Sequence, residues 1–347
     1  MRIFRRSLSG RLPTESATLL LAVLLFTSTT TASTGAEQRF EFRRRQMGSA
    51  VRIVLYAPEQ AAQTAAATAF KRIRDLDVIF SNYRQDSELA GLCRQAGLGP
   101  QKVSTELFSV LQESMRYSRL SGGVFDVTVG PYVDLWRDAR QQGRLPDSTE
   151  LAHAKALLGY RKVVLKPRSR TVKLQQQGMK LDLGGIAKGF IAAEALRVIQ
   201  NHGIPRALVD AGGDIVMGSP PPGREGWQIA IEGVSGHKNP VAEVPLKNVA
   251  IATSGDIHRG VEIDGIRYSH ILDPRTGLGL TNSSLVTVVA PDGLTADALA
   301  TVLSLLPPEQ GLKLLQSMPE VSALIVRPQG PRSQKWATGL FLAFVQE

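Results

Sequence analysis

The chain has 347 residues and a formal net charge of +10; 43% of its residues are hydrophobic and 21% are charged. This length excludes a small disulfide-stapled scaffold, and the composition is that of a soluble globular protein with an apolar core. The only cysteine, Cys93, excludes an intramolecular disulfide. The basic residues are too dispersed to indicate nucleic-acid binding, so no nucleic-acid partner is expected.

The N-terminal segment has the pattern of a secretory signal peptide. Four arginines within residues 2–11 precede an uncharged, mostly apolar run at 17–26 and a zone of Thr, Ser and Ala up to Ala36. The apolar run is shorter than the about 20 residues needed to cross a bilayer. We therefore predict that residues 1–36 are a signal peptide and that the protein is periplasmic, either soluble or loosely membrane-associated. Arg5-Arg6 leaves a twin-arginine route open beside the general one. No lipid anchor is expected, because no cysteine lies beside the cleavage zone.

The rest of the chain shows helical and strand periodicity in mixed order. In chain order, the pattern first predicts a strand or hairpin over 40–57, a helix over 61–78, a short helix capped by Ser87, and helices over 105–118 and 132–137. It then predicts a hairpin of 162–165 and 171–174, a strand over 180–183, a helix over 186–199, and strands over 207–210, 227–232, 250–253, 260–263 and 285–290. A helix from Thr295 and strands over 322–326 and 340–345 complete the prediction. Because strands and helices do not alternate strictly, we predict an α+β fold with mixed sheets and flanking helices, in one domain over 37–347.

Asp297 and Thr301 form the most informative pair in the chain. They lie four residues apart on the helix predicted from Thr295, so their side chains share one helical face. Carboxylate and hydroxyl oxygens suit Mg²⁺, which prefers oxygen ligands and usually keeps waters and substrate phosphates. The alternative is that Asp297 is an N-cap and that Thr301 only packs, and the D-x-x-x-T spacing alone favours this alternative.

Two further segments have residues suited to phosphate chemistry. Residues 181–189 read as a strand, a glycine pair and a helix start that bears Lys188. Glycines allow close backbone approach, and a helix N-terminus attracts phosphate. The spacing excludes a Walker A loop and a dinucleotide fingerprint, so a plain structural turn remains an equal alternative. His270 adjoins Asp273 and a Pro-Arg-Thr-Gly turn, although a lone histidine is more often structural.

Seven segments in fixed order resemble the ApbE family of FAD:protein FMN transferases. They are residues 47–48, 123–131, 182–189, 211–214, 253–255, 270–277 and 296–301. The resemblance covers nearly all of residues 40–347 and implies a T-fold-like domain. It implies that the FAD site is formed by Met47, Tyr83, Phe125, Asp126, Asp182, Lys188, His270 and Ile271. It also implies that Asp297, Thr301 and the carbonyl of Gly185 bind Mg²⁺. Asp297 and His270 are the candidate catalytic residues, and His270 would act as a base or as a substrate positioner. Many members are lipoproteins, and the anchor is not carried over to this chain.

The function implied by the resemblance is protein flavinylation. FMN would pass from FAD to a threonine or serine hydroxyl of an exported acceptor protein, with Mg²⁺ as cofactor and AMP as the second product. Acceptors would be subunits of membrane redox complexes or exported FMN-carrying proteins. Two alternatives stay open: Mg²⁺-dependent hydrolysis of FAD to FMN and AMP, and an exported FAD-binding protein without enzymatic activity. The Asp297/Thr301 pair argues against the second, since storage needs no metal at the pyrophosphate.

Overall fold

The computed structural model describes residues 36–231, 242–255, 260–329 and 332–344. Residues 1–35, which contain almost all of the predicted signal peptide, lie outside the described residues. The described helices are α1 (Glu59–Phe80), α2 (Glu88–Arg94), α3 (Thr105–Leu120), α4 (Gly130–Gln142), α5 (Ser148–Leu157), α6 (Ala187–Asn201), α7 (Gly293–Leu305) and α8 (Pro308–Leu315). The described strands are β1 (Gln38–Gln46), β2 (Ser49–Ala57), β3 (Gln101–Lys102), β4 (Val163–Lys166), β5 (Thr171–Leu174), β6 (Ala207–Ala211), β7 (Ile215–Met217), β8 (Trp227–Ile231), β9 (Ala242–Leu246), β10 (Ala250–Gly255), β11 (Val261–Ile263), β12 (Ile266–Tyr268), β13 (Leu285–Ala290), β14 (Ser322–Gln329) and β15 (Arg332–Ala337).

One large sheet organises the domain. Its spatial order is β1-β2-β6-β7-β10-β13-β14-β15, and each neighbouring pair in the described part of the chain is antiparallel. All six residues of β13 are buried, as expected for a central strand with both faces covered. The pairs β8-β9 and β11-β12 and the three-stranded sheet β3-β5-β4 are separate from it. The α+β prediction is confirmed, since helices and antiparallel sheets make up the described domain.

The hairpin of β1 and β2 follows directly from its turn residues. Gln46 pairs with Ser49, so Met47 and Gly48 form a two-residue turn. Both have positive φ, 52° for Met47 and 69° for Gly48. Two positive φ values match the turn type whose twist suits an antiparallel hairpin. The register then places Val51, Ile53 and Leu55 on one face of β2 and buries all three completely.

The two faces of the large sheet have different covers. α1, α6 and α7 pack on one face, against β2, β6, β10 and β13. Their apolar stripes close the main core with Val51, Ile53 and Leu55. The other face is covered by the β8-β9 hairpin and a C-terminal 3-10 turn, through Trp227 and Phe341. The helix layer carries Asp297 and Thr301, which were predicted to bind the metal.

α6 and α7 touch each other through glycines. A Cβ on Gly189 would lie 1.9 Å from the carbonyl oxygen of Gly293, and one on Gly293 would lie 2.2 Å from that of Gly189. No side chain fits at either position, because real Cβ atoms do not approach backbone oxygen so closely. The first turns of the two helices therefore come into direct backbone contact.

Two predicted strands are wrong. Residues 180–183 are irregular. Asp182 N–H donates to Val127 O at 2.8 Å and Leu181 N–H donates to the Cys93 sulfur at 3.3 Å. These hydrogen bonds take the place of the backbone pairing that a β-strand would make. The last predicted strand falls on a 3-10 turn, Gly339–Phe344, which starts at a glycine of φ 57°. Short apolar runs carry no periodicity that separates a strand from such segments.

We predict that Gly189→Ala destabilises the fold by about 3 kcal/mol or more, since overpacking against a backbone carbonyl forces α6 and α7 apart. The sign is opposite to that of an open helical site, where alanine is favoured over glycine. Urea unfolding measures the difference.

Gly99→Ala is the matched control, because no atom lies within 4 Å of its added Cβ. Its effect should stay within about 1 kcal/mol. Equal stability of the two variants would show that the close contact at Gly189 does not constrain the fold.

Candidate functional site

A cleft of about 1050 Å³ opens beside the N-terminus of α6. The residues predicted from the sequence come from six separate segments of the chain, yet all of them line this one cleft. They are Met47, Tyr83, Phe125, Asp126, Asp182, Gly185, Lys188, His270, Ile271, Asp297 and Thr301. The structure thus brings the predicted set together, and the role of each residue remains a prediction.

Asp297 lies inside α7 and caps a different helix. The N-cap of α7 is Asp292, whose Oδ1 accepts from Thr295 N–H at 2.9 Å, so the N-cap alternative for Asp297 is wrong for its own helix. The Asp297 carboxylate is 2% exposed and accepts from Gly189 N–H at 3.0 Å. α6 begins without a side-chain cap of its own. The carboxylate of α7 therefore satisfies a donor in the first turn of α6.

The predicted metal ligands fit an oxygen-binding cation. The hydroxyl of Thr301 lies 3.5 Å from the carbonyl oxygen of Gly185. A Cβ at Gly185 would lie 2.8 Å from that hydroxyl, so glycine is required for this approach. Among the described residues no group of three or more His, Cys, Asp or Glu side chains could hold a metal. A cation here would therefore be bound by one carboxylate, one hydroxyl, one carbonyl and non-protein oxygens, which suits Mg²⁺.

Lys188 and Asp214 lie close to the Asp297 carboxylate and affect its charge. Lys188 Nζ forms an ion pair with Asp214 Oδ2, and the Asp214 side chain is only 5% exposed. Burial of the Asp297 carboxyl, together with the charge of Asp214, raises the pKa of Asp297 to about 7. Lys188 and the backbone N–H groups of α6 oppose that rise. Two buried carboxylates share one ammonium group, so a bound cation would balance the remaining charge.

Asp214 adjoins the cleft through its ion pair with Lys188, although the sequence singled out residues 211–214 only as one of seven resembling segments and gave Asp214 no role. The available signal was a carboxylate directly after a glycine pair at the end of a strand. The sequence did not show that this strand, β6, ends beside Lys188. Thr253 and Ser254, at the end of β10, also line the cleft.

Asp182 shapes the irregular segment before α6. Its Oδ1 accepts from Gly184 N–H at 2.8 Å, and its Oδ2 accepts from the Asn82 side-chain amide. Burial raises the pKa of Asp182, while these donors favour the carboxylate. Asn82 was not predicted, although it stands next to Tyr83 in the same polar turn. Asp182 thus links that turn to the glycine pair.

Asp126 also has internal partners for both oxygens. Oδ1 accepts from Thr128 N–H at 2.8 Å and from Thr128 Oγ1 at 2.6 Å, and Oδ2 accepts from Tyr160 N–H at 2.9 Å. Burial raises the pKa of this carboxyl. Phe125, next to it, is buried against Tyr117 with ring centroids 6.3 Å apart. Both residues fix the loop that forms one wall of the cleft.

The loop that carries His270 is anchored at its far end. Arg275 Nε and Nη2 donate to the Asp273 carboxylate at 2.9 Å and 2.7 Å, and Nη2 also donates to Leu305 O at 3.3 Å. The last bond ties the loop to the C-terminal end of α7, where a cation is favoured. Trp136 Nε1 donates to Gly277 O at 2.7 Å. The His270 side chain is exposed on this fixed loop and lines the cleft.

Comparison with known proteins identifies relatives over most of the chain. The sequence model of the ApbE family matches residues 47–325. An FAD:protein FMN transferase from Treponema pallidum (strain Nichols) is 34% identical over 307 residues, which cover 83% of this chain and 85% of that protein. An FAD:protein FMN transferase from Klebsiella pneumoniae (strain 342) is 32% identical over 289 residues, covering 81% and 86%.

Two solved ApbE structures are similar to this chain in fold. The ApbE protein from Thermotoga maritima MSB8 matches with a TM-score of 0.80 and 29% identity, covering 89% of this chain and 100% of that chain. The flavin transferase ApbE from Vibrio cholerae matches with a TM-score of 0.79 and 29% identity, covering 89% and 99%.

Proposed function

The chain belongs to the ApbE family, whose members among its relatives are FAD:protein FMN transferases, and we propose how its cleft carries out such a transfer. FMN passes from FAD to a threonine or serine hydroxyl of an exported acceptor protein, AMP is released, and the reaction depends on Mg²⁺. The observation that carries this proposal is the convergence of the Asp297 carboxylate, the Thr301 hydroxyl and the Gly185 carbonyl at the N-terminus of α6.

The chemistry is a displacement at phosphorus. The acceptor oxygen bonds to the FMN-side phosphorus, the bond from that phosphorus to the bridging oxygen breaks, and AMP leaves with that oxygen. Mg²⁺, when bound, would neutralise phosphate charge and orient the two phosphates. Lys188, which lines the cleft in the first turn of α6, would add positive charge beside the same phosphates. These groups act mainly by positioning and by electrostatic stabilisation.

His270 is our candidate for the group that accepts the proton of the acceptor hydroxyl. Its side chain is exposed at the cleft, where a protein substrate has access, and its loop is fixed to α7 through Arg275. An imidazole is suited to proton transfer near neutral pH. A fixed loop with an accessible ring keeps the base in place without closing the site to a macromolecule.

We expect that transfer requires the charge of Asp297. Asp297→Asn keeps an oxygen for Gly189 N–H but removes the negative charge that holds a dication, so transfer should fall at least about 10²-fold. The assay uses purified protein, FAD and Mg²⁺, with exported proteins from cells that lack the gene as acceptors. Mass spectrometry detects flavinylated protein, and chromatography detects FMN and AMP.

The products separate the proposed function from its alternatives. Labelled acceptor with AMP supports transfer, free FMN with AMP indicates hydrolysis, and unchanged FAD indicates simple binding. Asp75→Asn, on the exposed face of α1, is the matched control and should retain activity. If Asp297→Asn transfers FMN at the full rate at limiting Mg²⁺, Asp297 is not a metal ligand.

The role of His270 separates rate from affinity. His270→Ala should bind FAD nearly normally and transfer FMN about 10²–10⁴-fold more slowly, because a general base acts in the transition state. Single-turnover rates at saturating FAD and acceptor measure the loss. His153→Ala, at an exposed position of α5, is the control. An unchanged rate would exclude His270 as the base, and a parallel loss of melting temperature and FAD affinity would indicate a structural role.

We also propose that the protein acts in the periplasm, on subunits of membrane redox complexes or on exported FMN-carrying proteins. The signal pattern of residues 1–36 supports this proposal. No helix in the described part of the chain is long and apolar enough to cross a membrane.

Export predicts a shortened N-terminus. Peptide mass spectrometry of the periplasmic fraction should find a mature N-terminus near residues 33–37, because the small-residue zone ends there. Replacing Arg5-Arg6 by two lysines distinguishes the routes, since a twin-arginine signal should fail and a general signal should not. Protein that begins at Met1 and occurs only in the cytoplasm would contradict export.

A further inference from the structure

Arg137, on α4, has two hydrogen-bond donors without an acceptor in the cleft. Its Nη1 donates to Asp134 Oδ1 at 3.0 Å. Its Nε and Nη2 are buried, and neither has a hydrogen-bond partner among the described residues. Buried donors in native proteins are nearly always paired, and a guanidinium can only donate. The missing partner is therefore an acceptor that the described residues do not supply.

The neighbouring carboxylates of Asp182 and Asp134 do not fill this need. Arg137 is close enough to Asp182 for its charge to oppose the upward pKa shift of that residue. The two oxygens of Asp182 already accept from Gly184 N–H and from the Asn82 amide. Asp134, the partner of Nη1, also pairs with Lys180. The local carboxylates are thus engaged, and Nε and Nη2 remain for a ligand.

An aromatic ring lies directly over the guanidinium. The Arg137 Cζ is 4.2 Å from the ring centroid of Tyr83, and both residues line the cleft. Tyr83 is 78% exposed, so little packing holds its ring in place. The ring can therefore move aside to admit a ligand to the donors and then pack against it. Arginine and tyrosine together form a surface suited to a planar aromatic group.

The donor geometry selects between the two ring systems of FAD. Nε–H and Nη2–H point in parallel from one edge of the guanidinium and match two neighbouring acceptors. The isoalloxazine ring has two such pairs, the C4 carbonyl oxygen with N5 and the C2 carbonyl oxygen with N1. In adenine, N1 and N7 each stand beside the amino group, which donates. Phosphates also offer paired acceptors, but in the proposed function they are bound by Lys188 and by a cation at Asp297, Thr301 and Gly185, on other elements.

We propose that Arg137 is a flavin-binding residue whose Nε and Nη2 donate to one of these two acceptor pairs of the isoalloxazine ring, beside Tyr83. This assignment rests on the proposed function, in which FAD enters the cleft as substrate. It orients the flavin end of FAD, while Lys188 and a cation held by the oxygens of Asp297, Thr301 and Gly185 would bind the pyrophosphate.

Binding measurements with the two halves of FAD test the assignment. Arg137→Lys keeps the charge and loses the paired donors, so riboflavin affinity should fall on the order of 10-fold, as expected for two hydrogen bonds. Affinity for ADP should stay within about twofold, because ADP lacks the flavin ring. Arg137→Gln should show the same selectivity, and its melting temperature should be close to that of the wild type. Arg144→Lys, at an exposed ion pair with Glu150, is the control and should change neither affinity.

The opposite outcomes are distinct. Unchanged riboflavin affinity in both Arg137 variants would overturn the assignment, and so would equal losses for riboflavin and ADP, or a wild-type protein that binds ADP but not riboflavin. The flavin absorption spectrum gives a second readout, since bound riboflavin should show a different band position in Arg137→Lys than in the wild type. If the Arg137 variants show this selectivity but the wild type transfers no FMN, the proposed function is overturned and the Arg137 assignment stands.

Discussion

The contact between Gly189 and Gly293 is the constraint on which the site depends. Only two glycines allow the first turns of α6 and α7 to meet at backbone distance. This contact brings the Asp297 carboxylate of one helix to the Gly189 N–H of the other. A carboxylate at a helix N-terminus is favoured by the helix dipole, although its burial opposes ionisation. The helix N-terminus and the burial of Asp297 thus have opposite effects on the ionisation of its carboxyl.

The sheet determines where the remaining residues meet these two helices. β6 ends at the glycine pair before Asp214, which reaches Lys188, and the turn between β1 and β2 places Met47 at the same cleft. Loops at sheet ends can vary in sequence without disturbing the core, because they lie outside the ladder. Arg275 attaches the His270 loop to α7, and the histidine of this loop stays accessible.

Local sequence signals predicted the elements that local interactions form. The hairpin around Met47 and Gly48 needs only two residues of positive φ, and the short helix α2 needs only the cap from Ser87 to Ala90 N–H at 3.0 Å. The segment 180–183 fails as a strand because its partners, Val127 and Cys93, are distant in sequence. Asn82, Asp214 and Arg137 were missed as site residues for the same reason. Their importance depends on partners that only the tertiary fold supplies.

The unbalanced groups in the cleft share one physical explanation. Asp214 and Asp297 bring two buried carboxylates to one lysine, and Arg137 buries two donors without acceptors. Each arrangement costs stability in the free protein, because desolvated charges and donors are not fully compensated. A flavin dinucleotide with a bound divalent cation has the complementary groups, a cation for the carboxylates and ring acceptors for the guanidinium. In the function that we propose, the cleft is organised in advance for a ligand with both features, and its binding would recover free energy that folding alone leaves unused.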